Sequence, residues 1–268
     1  MTMALPPAMP TSLLWAIGVT STRLPVAMTP LALIFLGNHI YGSYVYGLVL
    51  VGLYASAEAC FAPLLGMRLS GSYFRREVAI GLLVSGCAYS LLAVLGSTGM
   101  PVAWMLAVLA GGGAAAVPGA LRVAIVNIVE QDRVRQAFST ETVITMACWA
   151  AAPALVSFVS FRHSPLLVIA ACGFTLLLSL LVVLGLPEQA TAPPPPNAAG
   201  EPRTRRLKQV LSAWPIFITA AIAMSTVSIL ELLLPAILEE RGSGVYQGSW
   251  TVPLDGRGSR AWQVHHGG

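Results

Sequence analysis

Charge is scarce in this sequence. Asp, Glu, Lys and Arg make up 10% of its 268 residues, and lysine occurs once, at Lys208. A soluble domain carries about 25% charged residues, so an ordinary water-exposed fold is excluded. Catalytic signatures are missing as well. There is no His-Glu-x-x-His, no phosphate-binding loop and no Gly-x-Ser-x-Gly at a strand-to-helix turn. The four histidines, His39, His163, His265 and His266, fall in predicted outer loops or in the tail. The four cysteines, Cys60, Cys87, Cys148 and Cys172, lie in apolar stretches without metal-ligand spacing, and we read them as packing residues. An enzyme is not expected, nor is a metal or a cofactor. The first eleven residues lack basic charge, and the first apolar stretch is longer than a signal-peptide core, so a cleaved signal is not expected.

What is abundant is apolar sequence, with 56% hydrophobic residues. A helix needs about 20 mostly apolar residues to cross the hydrocarbon of a bilayer. Seven stretches qualify, at residues 12–36, 45–66, 78–96, 102–127, 138–160, 165–186 and 212–236, here called spans one to seven. Basic residues fall in alternate gaps. Arg68, Arg75 and Arg76 follow span two, Arg133 and Arg135 follow span four, and Arg203, Arg205, Arg206 and Lys208 follow span six. The gaps after spans one, three and five hold only Arg162. Short Lys/Arg-rich loops stay cytoplasmic. The pattern predicts a multi-pass protein of the cell membrane with a cytoplasmic N-terminus. The net charge of +4 is spread over these short loops, so lipid headgroups, not nucleic acid, are the expected partners.

Residues 1–187 read as a six-helix bundle. Residues 188–208 are a linker with four consecutive prolines, Pro193 to Pro196, and a basic cluster; such a run favours extended polyproline structure. Residues 209–240 hold span seven. Residues 241–268 are rich in Gly and Ser without helical or strand period. This tail is either disordered sequence or the product of a frame lost near Arg241.

Six spans, a cytoplasmic linker and a seventh span resemble the first half of a major facilitator superfamily transporter and its step into the second half. After the second helix such transporters carry Gly-x-x-x-Asp-Arg-x-Gly-Arg-Arg. Residues 63–76 resemble it through Gly66 and the pair Arg75–Arg76, with one residue inserted and the acidic position lost to Ser70 or Gly71. In the fifth helix, bacterial drug/proton antiporters of the superfamily carry Gly-Pro-x-x-Gly-Gly. Ala152-Pro153-Ala154-Leu155-Val156-Ser157 resembles a weakened copy. The resemblance implies an all-α membrane protein in which a six-helix bundle of two inverted three-helix repeats is joined by a seventh transmembrane helix. It implies cavity-lining roles for spans one, four and seven. Spans one and four carry helix breakers, Pro25 and Pro30 in one, Gly111, Gly112, Gly113, Pro118 and Gly119 in the other; breakers at matching places point to a transport path. Proton-coupled export of a small molecule is the implied activity. Six helices plus one cannot form a two-half cavity. The chain as written is therefore either truncated and inactive or completed by a second chain.

Five ionisable residues fall within spans: Arg23, Glu58, Arg122, Glu141 and Glu231. A charge at a helix centre costs about 2.5–3.5 kcal/mol on insertion scales, so each should face the bundle and find a partner. Arg23 and Glu58 have similar depth in neighbouring spans and form a candidate proton or substrate site, with Glu231 as a further member. The other reading of the Arg23 and Glu58 pair is a structural ion pair. Arg122 and Glu141, near the inner ends of spans four and five, are expected to pair structurally. Two other classes fit the sequence less well. A seven-helix receptor or sensor of the retinal type lacks the lysine it needs in the last span. A membrane-embedded enzyme lacks paired catalytic groups.

Overall fold

The computed structural model describes residues 11–68, 74–129 and 132–185, together with Pro215 and Thr219. The described residues contain helices and no strand. The helices are α1 (Thr11–Tyr41), α2 (Tyr44–Arg68), α3 (Phe74–Leu95), α4 (Met100–Ala114), α5 (Val117–Ile128), α6 (Val134–Arg162) and α7 (Pro165–Gly185), with one 3-10 turn at Gly96–Thr98. Among the described residues, six crossings are long and apolar enough to span a membrane. They match the predicted spans one to six: α1, α2, α3, α4 with α5, α6, and α7. Spans three and five begin earlier than hydropathy predicts. The helices take in Arg75, Arg76 and Glu77 in one case and Arg135 and Gln136 in the other, because a helix continues into the headgroup layer where charge is tolerated.

Span four is two helices. Ala115 and Ala116 interrupt it, and the Ala115 N–H reaches Gly112 O at 3.5 Å instead of continuing the regular ladder. Pro118 supplies the cause. It has no N–H to give to the carbonyl four residues back, and its ring crowds that carbonyl. α1 passes through Pro25 and Pro30 unbroken, and α6 passes through Pro153.

The helices bury residues at helical spacing. α7 buries Val168, Ile169, Cys172, Leu176, Ser179 and Val183, and α6 buries Glu141, Thr145, Cys148, Ala152 and Val156. Spacings of three and four place each set on one face. Span one packs against spans five and six, span four against spans two and three, and spans three and six pack on each other. Exchanging spans one, two and three for four, five and six reproduces this set of neighbours. Each group has three crossings, so the second enters from the opposite side and the repeats are inverted.

Polar side chains close the gaps between helices. Ser85 Oγ donates to Ala110 O at 2.6 Å, joining α3 to α4, and Ser179 Oγ donates to Ser21 Oγ at 2.8 Å, joining α7 to α1. Trp15 Nε1 donates to Leu121 O at 3.2 Å, joining α1 to α5. Glycines set the closest approaches. A Cβ on Gly47 would overlap the backbone of Ile34, so α1 and α2 touch main chain to main chain there. Gly113 lies equally close to Gly81 and Ser85 of α3.

The chain divides into two units, residues 1–199 and 200–268. Of the second, Pro215 and Thr219 are described, both helical, with Thr219 Oγ1 donating to Pro215 O at 2.8 Å. The rest of span seven, Glu231, the proline-rich linker and the Gly/Ser-rich tail lie outside the described residues.

Candidate functional site

Charges that are far apart in sequence meet between spans one, four and five. Glu141 is the hub. Its side chain is 3% exposed, and Oε1 accepts from Arg23 Nη2 at 2.7 Å. Arg122 Nε donates to Oε2 at 2.8 Å and to Oε1 at 3.1 Å. The predicted pair of Arg122 and Glu141 is present, and Arg23 joins it as a third member. A buried carboxylate held this way is fully compensated, because both oxygens accept charge-assisted bonds.

Arg23 does not bond to Glu58, contrary to the pairing its depth suggested. It lies within electrostatic range of Glu58, but its guanidinium bonds to Glu141. The reason is the fold. Span one packs on span five as well as on span two, and similar depth alone cannot choose between a carboxylate on each. Glu58 is half-buried near the middle of span two. Among the described residues it forms no ion pair or hydrogen bond.

Two further groups surround these charges. Tyr54 lies one helical turn before Glu58 on α2, the same face, and its ring packs on Tyr89 of α3 with centroids 6.4 Å apart. Tyr89 OH meets Thr29 Oγ1 at 2.5 Å, and Thr29 Oγ1 donates to Pro25 O at 2.6 Å. A hydroxyl has one hydrogen. Thr29 gives its own to the carbonyl, so Tyr89 is the donor to Thr29. Sequence reasoning missed this buried chain, although a tyrosine one turn from an intramembrane carboxylate was a usable signal. On α6, Thr145 sits one turn after Glu141, and its buried hydroxyl has no partner among the described residues. Cys148 follows on the same seam.

An open groove of about 540 Å³ adjoins the ion cluster, lined by Arg122, Val123, Val126, Phe138, Glu141 and Thr142. The motif residues lie elsewhere. Gly66 is exposed near the end of α2. Arg75 and Arg76 belong to the first turn of α3, with Arg75 Nε buried and without a partner among the described residues and Arg76 exposed. Ala152 is buried and Pro153 exposed on α6. His39 belongs to the last turn of α1 instead of the loop where the sequence placed it.

A bundle of membrane-length helices with inverted repeats and a charge cluster within its spans has the architecture of a membrane transporter. The sequence matches the family model described as Major Facilitator Superfamily over residues 8–256, and the chain belongs to that superfamily. No curated protein and no solved structure matches the chain. Membership establishes a membrane transporter of the major facilitator type that acts on a small-molecule substrate within the lipid bilayer, and family members are transporters, not enzymes.

Proposed function

We propose that the protein is a proton-coupled exporter of small molecules in the cell membrane, with a cytoplasmic N-terminus, similar to drug/proton antiporters. One observation carries the coupling. Glu58 is a half-buried carboxylate at mid-span with no bonding partner among the described residues, while Arg23, the cation within electrostatic range of it, is bonded to Glu141. An intramembrane carboxylate that is not locked in an ion pair can take up and release a proton as access alternates between the two sides. Arg23 is close enough to act on it electrostatically but forms no bond to it. A second chain supplies the facing bundle that completes the cavity.

The test is uptake by the full chain in proteoliposomes under an imposed pH gradient, with a panel of labelled organic cations, anions and neutral molecules. The expected result is accumulation that collapses with a protonophore. Glu58→Gln should retain downhill exchange and lose accumulation. Accumulation by Glu58→Gln at the wild-type level would sink the coupling role of Glu58.

A further inference from the structure

Arg122 is held to Glu141 through Nε alone, which serves both carboxylate oxygens. A guanidinium has five N–H donors in a planar fork. The four on the terminal nitrogens of Arg122 have no partner among the described residues. The side chain is 55% exposed, against 3% for Glu141, and it lines the groove between α5 and α6. Anchoring by Nε leaves the flat outer edge of the fork unoccupied, and that edge matches two parallel bonds to a carboxylate.

The charge count points the same way. Two guanidinium groups share one carboxylate, so the cluster keeps one net positive charge. One monoanion would cancel it, whereas a phosphate dianion would overshoot. The rest of the groove is apolar: Val123, Val126 and Phe138. Thr142 adds no donor, because its hydroxyl hydrogen goes to Phe138 O at 2.9 Å. We propose that this groove binds an amphipathic organic acid, its carboxylate on the outer edge of Arg122 and its apolar body against Val123, Val126 and Phe138. Glu141 is a positioning residue that fixes the Arg122 fork, and Arg23 holds Glu141. The proposal rests on the transporter reading and names a substrate class for it.

The full chain is placed in nanodiscs of phosphatidylcholine, and equilibrium binding of 1-naphthoate is measured beside its neutral counterpart 1-naphthamide. Naphthoate should bind and naphthamide should not. Arg122→Lys keeps the charge and loses the fork, and should weaken naphthoate about tenfold or more. Equal binding of acid and amide, or an unchanged Arg122→Lys variant, overturns the proposal. A parallel arm adds phosphatidylglycerol. If naphthoate binding disappears there, lipid phosphate is the occupant and the small-acid reading is overturned. If Arg122→Lys does not fold, Phe138→Ala, which leaves the ion cluster intact, should weaken naphthoate about tenfold; no change overturns the proposal. Failed naphthoate binding with gradient-driven accumulation of other molecules intact would remove this substrate class and leave the coupling reading standing.

Discussion

Spans two and five occupy equivalent places in the two repeats, and each carries one carboxylate, yet they are fastened to span one by different chemistry. Span two meets span one through glycine: Gly47 lies against the backbone of Ile34, and Gly37 against that of Gly47. Its carboxylate, Glu58, takes no part in the fastening. Span five meets span one through charge, with Glu141 bonded to Arg23. Without a hydrophobic driving force between helices in lipid, both close packing and polar bonds can hold helices together. The pseudo-symmetry of the fold is thus kept in the backbone and broken in the side chains. The repeat that uses glycine leaves its carboxylate uncommitted, and the repeat that uses charge consumes its carboxylate.

The comparison breaks first at Glu141. Glu141→Gln leaves two arginines facing a neutral amide in a buried site, and breaking such a cluster costs about 3 kcal/mol or more. Glu58→Gln should change stability by less than about 1 kcal/mol, since no bond is lost. Reversible unfolding of both variants in the same detergent, read by helical circular dichroism, decides this; equal losses would mean that Glu58 is also a structural group. Next comes Gly47→Ala, which forces a methyl group into the backbone of Ile34 and should cost about 1–3 kcal/mol. Gly52→Ala on the same helix meets nothing within 4 Å and should be neutral or gain up to about 1 kcal/mol in helix propensity. The two thermal midpoints, measured side by side, test whether span two is held by close approach. The smallest effect is expected at Thr145→Val. Its buried hydroxyl has no partner among the described residues, so replacing it by a methyl group removes an uncompensated polar group and should stabilise the chain slightly, by about 1 kcal/mol. A loss of stability there would place a bonding partner on the span five seam.

Spans one to six were legible in the sequence because lipid imposes length and hydropathy directly on each helix. Which helices touch was not. Arg23 and Glu141 are 118 residues apart, and depth arithmetic brought Glu58 forward only because its span is the next in order. The symmetric arrangement, with span one lying against span five, is a property of the whole bundle and leaves no local mark. Arg122 and Glu141 were legible because consecutive spans place them at the same end. The break in span four had its signal in Pro118, which reads equally as a kink or a stop, and the two differ only in how the neighbouring helices hold the backbone. The hydroxyl chain through Thr29 and Tyr89 joins spans one and three, and its one mark in the sequence is Tyr54, a turn before Glu58.

The interruption at Ala115–Ala116 has a mechanical meaning. α4 is pinned to α3 by the Ser85 bond to Ala110 and by the Gly113 contact, so it acts as the fixed side of an elbow. α5 is the arm beyond it, 12 residues long, or about 18 Å at 1.5 Å per residue, and it is held to α1 by the Trp15 bond to Leu121 O. Arg122 sits about 9 Å along it. Turning the arm by about 10° would carry Arg122 through about 1.6 Å, which is enough to part its bonds to Glu141. The elbow therefore has leverage over the ion cluster, and a swing that parts the charge pair would also pull on the Trp15 bond to Leu121 O beside it.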